Sequence, residues 1–465
     1  MKKKRKRQLR KSNLRKGFFA NLSFQLYSRL KRAIRWLLPG LVVKRWMITS
    51  GLGLFIALIG VCIWTDLRPI YWVVEIFFWF LGSITTFLPR TISGPIVFLI
   101  GISLLIWGQG RSFESIKRAV GTKKDTFLVD ALRAKRRLNR GPNIVAIGGG
   151  TGLSSLLKGL KRYSSRITAI VTVADDGGSS GVLRRELGVQ PPGDIRNCLA
   201  ALATEEPLIK GLFQYRFSSG SGLEGHSFGN LFISALTAIT GSLETAITAS
   251  SRVLSVQGQV VPATNVDVRL WAELENGERI YGESAIGKAK FPIIRIGCYP
   301  AQPPALPRAL EAIKNAEIIL IGPGSLYTSI LPNLLVPEIV NAIERSKAPK
   351  LYICNLMTQP GETDGLDVTG HVRAIESQLA SRGITRKIFN SILAQNELEP
   401  SALIDYYKSK GSEPVICNKV DLLSKGYKVY LASLQGSEAT PTFRHDPKSL
   451  AVAIMRFYRS YKKGK

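Results

Sequence analysis

The alternation of short apolar runs with helix-patterned segments, from Pro142 to the C-terminus, is the feature that most restricts the fold of this chain. Alternation of this kind is typical of a parallel sheet with helices on both faces. It predicts an α/β class with a doubly wound, mostly parallel sheet. The predicted strands are Ile144–Ile147, Ile167–Val173, Glu317–Ile321, Leu351–Asn355 and Lys428–Leu434, and the predicted helices are Leu153–Leu160, Ile195–Leu202, Pro337–Ser346, Val372–Leu379 and Pro447–Tyr461.

One segment inside this region follows a different period. Residues Asn265–Ile280 alternate apolar and polar side chains around Asn276-Gly277. Period-two alternation around Asn-Gly is the signature of a tight β-hairpin. We therefore expect a β-hairpin inserted into the α/β domain.

Three apolar stretches lie upstream, at Trp46–Trp64, Ile70–Leu88 and Thr91–Trp107. The first is uncharged and has a tryptophan at each end, which is typical of a bilayer-spanning helix. It begins too far from Met1 to be a cleavable signal peptide. Glu75 interrupts the second stretch, so we expect a hairpin of two spans, the first and third, with the second in the outer interface. Three spans, or an apolar domain buried in a soluble protein, are the alternatives.

Positive charge is concentrated in the N-terminal part of the chain. Residues 1–140 carry 28 Lys and Arg against 5 Asp and Glu, whereas residues 141–465 carry 36 against 28. Positive flanks remain cytoplasmic, so both ends of the hairpin are expected on that side. The leader Lys2–Lys16 is expected to lie on anionic lipid headgroups, and no recognition motif indicates nucleic acid.

These observations predict four parts: a basic cytoplasmic leader (1–45), a transmembrane hairpin with its interfacial segment (46–107), a basic linker (108–141) and the α/β domain (142–465). The expected location is the cytoplasmic side of an inner or thylakoid membrane. The closest two of the five cysteines, Cys354 and Cys298, are 56 residues apart, which excludes CxxC and zinc spacings. We interpret the cysteines as small buried residues in a reducing compartment.

The glycine-rich stretch Gly148–Gly152 joins the first predicted strand to a helix. Such a turn lets backbone N–H groups approach a phosphate, and the helix N-terminus adds partial positive charge. Leu153 stands where GxGxxG needs glycine, and Lys158 lies too deep in the helix for a Walker loop. We predict a phosphate-binding turn, with glycine used for geometry alone as the alternative. The candidate residues are Gly149, Gly150, Thr151 and Gly152.

The segment after the second predicted strand should face the same crevice, because ligands of doubly wound sheets lie beyond the carboxyl ends of the strands. Asp175 and Asp176 could accept ribose or sugar hydroxyls, hold Mg²⁺, or cap the turn. Ser179 and Ser180 follow in a glycine-serine turn.

Three further segments place polar side chains beside glycine or proline. Asp194, Arg196 and Asn197 stand at a helix start and are predicted to bind the ligand, with a helix cap followed by a surface arginine as the alternative. His226 and Asn230 precede an apolar helix, and His226 could be a general base, an orienting donor or a structural residue. A second strand followed by a glycine turn suggests an extended ligand with more than one polar end. Its candidates are Gly322, Gly324 and Ser325.

Six blocks in this order resemble one family: GGGTGL, TVADDGGSSG, PPGDIRN, HSFGNL, IGPGSLYTSILPNLL and CNLMTQPGETDG. It is the gluconeogenesis factor family, a branch of the superfamily that includes 2-phospho-L-lactate transferase. The resemblance spans Pro142 to the C-terminus, and the long forms of the second and third blocks are similar to the gluconeogenesis branch. The membrane-anchored extension resembles that of photosynthetic bacterial members.

The resemblance implies a Rossmann-like domain that binds nucleotide-sugars of the UDP-N-acetylglucosamine type and influences cell shape and wall-precursor allocation during gluconeogenic growth. No turnover is implied for that branch. The transferase branch moves a phospholactyl group from a guanosine diphosphate carrier onto a deazaflavin. By resemblance, Gly149–Gly152 match the phosphate-binding loop, and Asp175 and Asp176 match the acidic end of the second strand, near the transferase's acceptor and metal.

The leading interpretation is a membrane-tethered regulatory protein that binds a nucleotide-sugar, requires no cofactor, and acts through an unidentified downstream partner, with a homodimer also considered. The first alternative is a transferase that uses a nucleoside-diphosphate-linked donor, in which Asp176 holds Mg²⁺. The second, a nicotinamide-dependent oxidoreductase, rests on fold analogy and lacks its fingerprint.

Overall fold

The computed structural model describes residues 135–204, 207–396, 402–436 and 443–464, and upstream of them only short stretches between 52 and 111. Contacts divide the chain into two units, Met1–Arg133 and Ala134–Lys465. The first unit contains helix α1 (Arg68–Phe87). The second unit contains the α/β fold.

The second unit is built on a seven-stranded sheet in which every neighbouring pair is parallel. The strand order is β10-β9-β8-β7-β1-β2-β3. Chain order therefore reverses between β1 and β7, which makes that position the topological switch point. The strands are β1 (Ile144–Gly148), β2 (Ile167–Val171), β3 (Gln259–Pro262), β7 (Ile318–Ile321), β8 (Lys350–Ile353), β9 (Ser391–Gln395) and β10 (Lys428–Ala432).

The hairpin predicted around Asn276-Gly277 is confirmed and gains a third strand. Strands β4 (Arg269–Leu274) and β5 (Arg279–Tyr281) pair antiparallel, and β6 (Ile293–Tyr299) pairs with the other edge of β4. The alternating pattern buries Leu270, Ala272 and Leu274 beneath this small sheet.

Helices of the second unit connect these strands. They are α2 (Gly150–Leu160), α3 (Gly178–Leu187), α4 (Gly193–Leu202), α5 (Pro207–Gln214), α6 (Phe228–Thr240), α7 (Leu243–Val253), α8 (Glu283–Ile286), α9 (Pro307–Lys314), a π-helical turn (Leu326–Ile330), α10 (Leu331–Leu334), α11 (Pro337–Arg345), α12 (Val368–Ala380), α13 (Ala402–Ser409), α14 (Lys419–Ser424) and α15 (Pro447–Lys463).

Two apolar cores lie on opposite faces of the large sheet. Val145 and Ile147 belong to one core, and Ile144 and Ala146 to the other, because successive side chains of a strand point to opposite faces. Burial on both faces explains why the strand sequences are continuously apolar. All five predicted strands and all five predicted helices are present with ends shifted by a few residues. The predicted α/β, mostly parallel architecture is therefore confirmed.

The expected spans Trp46–Trp64 and Thr91–Trp107 are described only in part, as short helical pieces such as 52–57 and 98–104. The expected interfacial segment Ile70–Leu88 coincides with α1 except for its last residue. In the part of the chain that the structure describes, no single helix is long and apolar enough to cross a membrane, and one bent pair, Leu326–Leu334 with Pro337–Arg345, passes that test by length and composition.

Candidate functional site

The candidate site begins at the switch point, where two adjacent strands each end in a glycine turn. Strands β1 and β7 pair in register, with Ile147 opposite Ile321. Gly149–Gly152 follow β1, and Gly322–Ser325 follow β7. The two glycine patterns singled out in the sequence therefore lie side by side, at the position where doubly wound sheets bind ligands.

Two glycines of the first turn are required by geometry. Gly150 has a φ of +64°, in the left-handed region that side chains rarely adopt. A Cβ on Gly152 would lie 2.6 Å from the Pro323 carbonyl oxygen. A side chain at position 152 would thus push the two turns apart.

The first turn presents backbone N–H groups at the start of α2. The opening residues of a helix have no intrahelical acceptor, which leaves the N–H groups of Thr151 and Gly152 available. The N–H of Gly150 instead donates to the buried Asp194 carboxylate. The turn and the start of α4 are therefore joined by a hydrogen bond.

A cavity of about 390 Å³ opens in front of this turn. Its size lies within the range of small-molecule sites. The wall formed by the second turn is fixed by amide side chains: Gly324 and Asn355 exchange two hydrogen bonds of 3.2 and 2.9 Å, and Gln359 Nε2 donates to Ser325 Oγ at 2.8 Å. Gly322 is not among the lining residues.

Another part of the cavity lining contains two cations and an aromatic ring. It includes Tyr407, Lys410, Arg444 and His445. Burial lowers the pKa of His445 to about 4, although the nearby Cys354 backbone favours its protonated form, so its ring is neutral at pH 7. Two cations and helix N–H groups that line one cavity form a combination suited to a phosphate or diphosphate.

A second polar cluster lies on α3 and around the start of α6. Ser179 Oγ lies 3.0 Å from His226 Nδ1, and Asn230 Nδ2 donates to Ser179 Oγ at 3.1 Å and to Ser180 Oγ at 3.4 Å. All four side chains are buried. Ser227 caps α6 by accepting from the Asn230 N–H, which holds this group in place.

The two adjacent carboxylates, Asp175 and Asp176, point in different directions. Asp175 Oδ1 accepts from the Gly177 N–H at 2.9 Å and so closes its own turn. Asp176 Oδ1 accepts from the Ser284 N–H at 2.8 Å, at the start of α8. Asp176 therefore ties the large-sheet domain to the inserted small sheet.

Several carboxyl groups crowd this region and repel one another. Burial and then Asp175 raise the pKa of Asp194 to about 6. Burial, followed by the charges of Asp175, Asp194, Asp176 and Glu362, raises the pKa of Glu283 to about 8. At neutral pH the region holds a proton on Glu283 and would attract a cation.

These carboxyl groups do not form a ready metal site. Among the described residues, no group of three or more His, Cys, Asp or Glu side chains is arranged to hold a metal ion. One oxygen each of Asp175 and Asp176 is already occupied by a backbone N–H.

The candidates predicted from sequence thus fall into two neighbouring groups. Gly149, Gly150, Thr151, Gly152, Gly324 and Ser325 line the cavity, whereas Asp175, Asp176, Ser179, Ser180, Asp194, Arg196, Asn197, His226 and Asn230 lie outside that lining. Arg196 donates to Asn197 at 2.9 Å, and its pKa is lowered by burial and by Arg216.

Sequence reasoning missed the wall that follows β8, β9 and β10. Asn355 and Gln359 lie in the block CNLMTQPGETDG, whose only signal in the sequence is the family resemblance. No sequence motif predicts a role for the other residues of this wall, which are Tyr407, Lys410, Arg444 and His445. A prediction of β9 would have placed the segment with Tyr407 and Lys410 at the same edge as the glycine turns. Arg444 and His445 follow the predicted β10, but no motif marks them.

Comparison with known proteins gives a consistent result. The family model of 2-phospho-L-lactate transferase CofD matches residues 144–435. A putative gluconeogenesis factor of Nostoc sp. is 52% identical over 94% of this chain and 95% of its own length. The gluconeogenesis factor of Bacillus subtilis is 46% identical over 68% of this chain and 97% of its own length.

A solved structure has the same fold. The crystal structure of a Bacillus halodurans protein is similar with a TM-score of 0.65 and 46% identity, over 68% of this chain and 100% of that one. A relative that consists of this part alone therefore folds without an N-terminal extension. With these matches, the chain belongs to the CofD family and, within it, to the gluconeogenesis factor proteins.

Proposed function

We propose that this chain binds a nucleotide-sugar of the UDP-N-acetylglucosamine type and acts as a regulatory protein. The observation that carries the proposal is the cavity at the switch point, which is lined both by the first turn of α2 and by Lys410 and Arg444. Backbone donors and cations in one cavity suit a diphosphate, which bears negative charge on both phosphates. Tyr407 supplies an aromatic surface for a base or sugar ring.

In this proposal the two glycine turns contact different parts of the ligand. The N–H groups of Thr151 and Gly152 hold one phosphate, and Gly324 and Ser325 close the other side. Asp194 does not contact the ligand; it fixes the turn by accepting from Gly150. His226, Ser179 and Asn230 act as the rigid support of α3 against α6.

The cellular role is proposed from the relatives, two of which are named gluconeogenesis factors. We propose that ligand occupancy reports wall-precursor supply and that the protein, through a downstream protein partner, supports cell shape during gluconeogenic growth. A hairpin from Trp46–Trp64 and Thr91–Trp107 would tether it to the cytoplasmic side of the membrane. A homodimer is compatible with this role.

A second function is favoured by the carboxyl cluster. Asp175, Asp194, Glu283 and Glu362 repel one another behind the first turn, and a cation or an amine would relieve that repulsion. The family model is named for a transferase. The alternative is therefore a transferase of the 2-phospho-L-lactate type with a nucleoside-diphosphate-linked donor.

Titration calorimetry of residues 135–465 with UDP-N-acetylglucosamine, with and without Mg²⁺, separates these functions. The proposal predicts saturable heat in both buffers and ligand recovered intact by mass spectrometry. Ligand returned in pieces, or binding that needs Mg²⁺, would favour the transferase. An absence of heat in both buffers would remove the nucleotide-sugar assignment.

A further inference from the structure

The amino-terminal edge of the large sheet carries an unusual concentration of positive charge. We call this the amino-end face: the segments that precede the seven strands, together with the end of α15. These segments are 135–143, 161–166, 254–258, 314–317, 345–349, 381–390 and 425–427, with 459–464 at the end of α15. They contain 17 Lys and Arg and a single acidic residue, Glu317.

This face accounts for more than the whole net charge of its unit. Outside these segments, residues 135–465 carry 23 Lys and Arg against 27 Asp and Glu, so the remainder is slightly acidic. Of the 17 cations, 14 are exposed, and only Arg136, Lys161 and Arg382 are half-buried. Lys161 Nζ donates hydrogen bonds to the carbonyl oxygens of Ala201 and Ala203.

Helix dipoles explain only part of this pattern. Helices of such a fold end at the amino edge of the strands, where cations stabilise the partial negative charge. Lys314, Arg345, Lys462 and Lys463 fit that explanation, since they lie in last turns. The cations of the connecting loops 162–166, 347–349 and 386–387 do not lie in helices.

Acidic partners on the neighbouring elements neutralise few of these charges. Glu344 pairs with Arg386 at 3.2 Å, Asp421 pairs with Lys425, and Tyr458 donates to Glu317 at 2.7 Å. Arg166, Lys314 and Lys347 form no ion pair with any described residue. The face therefore presents a broad cationic surface, about 30 Å across if seven strands lie ~4.8 Å apart.

We propose that the amino-end face docks on an anionic lipid bilayer. Such a surface attracts clustered Lys and Arg, at about 1 kcal/mol for each residue near it. The chain enters this face at Lys135, only 27 residues, 108–134, after the apolar stretch that ends at Trp107. In this respect the inference is linked to the proposed membrane tether.

The character of the face favours lipid over nucleic acid. Single-stranded nucleic acid is bound on exposed aromatic platforms, and duplexes are read by an element that enters a groove. The face is made of loops and helix ends, and Tyr461, 36% exposed, is its one large exposed aromatic side chain among the described residues. Docking there leaves the cavity, at the other end of the strands, open to solution.

Sedimentation of residues 135–465 with vesicles of phosphatidylcholine, with and without phosphatidylglycerol, tests the proposal. We expect binding only to the phosphatidylglycerol vesicles, and loss of that binding at high salt. Replacing Arg166, Lys314 and Lys347 together by glutamate should weaken partitioning at least about 100-fold. This fragment lacks the expected tether and needs no added nucleotide-sugar, so the result is independent of both other proposals.

A matched control replaces three exposed lysines that lie away from the face by glutamate, which gives the same change in net charge. They are Lys288, Lys290 and Lys419. We expect its partitioning to fall less than tenfold. Equal losses in the two triple variants would show a net-charge effect without a defined face and would overturn the proposal. Equal binding to both kinds of vesicle, or retention on duplex DNA but not on phosphatidylglycerol, would also overturn it. Far-ultraviolet circular dichroism verifies that each variant is folded.

Discussion

The two edges of the large sheet have opposite chemistry. At the amino edge, the connecting segments carry 17 cations and one carboxylate. At the carboxyl edge, the segments 172–178, 263–268 and 354–367 carry six acidic residues and no Lys or Arg. Cations also reach this edge: Arg184 pairs with Asp267 at 2.6 Å, and Lys410 and Arg444 line the cavity.

This difference shows that overall charge is a poor guide to what a domain binds. The formal charge of +31 gives no indication of an acidic, phosphate-adjacent site. The difference in charge between the two ends of the strands does indicate such a site. Ligands of doubly wound sheets bind at the carboxyl edge, which leaves the amino edge free for another role. One edge is suited to a small ligand and the other to an extended anionic surface.

The largest effect expected at the carboxyl edge comes from Gly150→Val. The substitution places a branched side chain on a residue with a φ of +64°. The new Cβ would lie 3.5 Å from Ser329 Oγ, and the residue lines the cavity. We expect loss of measurable UDP-N-acetylglucosamine binding by calorimetry, with the domain still folded.

Gly188→Val is the control for that change. Gly188 has the same φ of +64° but has open space around its Cβ position, at the end of α3. Both variants should lose about 1–2 kcal/mol of unfolding free energy from backbone strain. Normal ligand binding by Gly150→Val would remove the phosphate-turn assignment.

An intermediate effect is expected from the carboxyl cluster when pH changes. The folded-state pKa of Glu283, about 8, lies above its ordinary value of 4.5, so folding favours the protonated form. The stability that this provides is complete below about pH 4.5 and is lost as pH rises through 8. We expect the free energy of unfolding in urea to fall by at least about 1 kcal/mol between pH 5.5 and pH 8.5.

Glu283→Gln sharpens that prediction, because glutamine mimics the protonated carboxyl. The variant should show a flatter pH dependence and should be more stable than the natural chain at pH 8.5. The exposed Glu224→Gln should leave the profile unchanged. An unaltered slope in Glu283→Gln would contradict the mutual repulsion assigned to this cluster.

The smallest effect is expected from a single cation of the cavity wall. Lys410→Ala should weaken nucleotide-sugar binding about tenfold, by loss of one charge-assisted contact. Lys408→Ala, on α13 and outside the cavity, removes the same charge nearby and should leave affinity within a factor of two. Equal losses of affinity in the two variants, measured by calorimetry, would mean that Lys410 contributes only long-range positive charge and no direct contact with the ligand.

Much of the fold follows from local pattern. The continuous apolar runs of β1, β2 and β7 and the Asn276-Gly277 turn each carry a short-range signal that the structure confirms. Strand β9 (Ser391–Gln395) was missed because SILAQ is short and ends in a polar residue, although all five side chains are buried. Its omission hid the wall built by the segments that follow it.

The candidate site was predictable only where chemistry is local to one segment. Gly150 and Gly152 were found because a dense glycine run is visible without tertiary structure. Glu283 was not, because its environment arises when the inserted sheet places α8 against Asp176. The pairing of Gly150 with Asp194 is likewise a tertiary contact between residues 44 positions apart.

Hydrogen exchange measured on residues 135–465 tests the two-edge account most directly. UDP-N-acetylglucosamine is expected to slow exchange at 149–152 and 322–325, and phosphatidylglycerol vesicles to slow exchange at 161–166 and 345–349. Protection of the amino-end segments by the nucleotide-sugar, or of the glycine turns by the vesicles, would contradict the division of labour between the two edges.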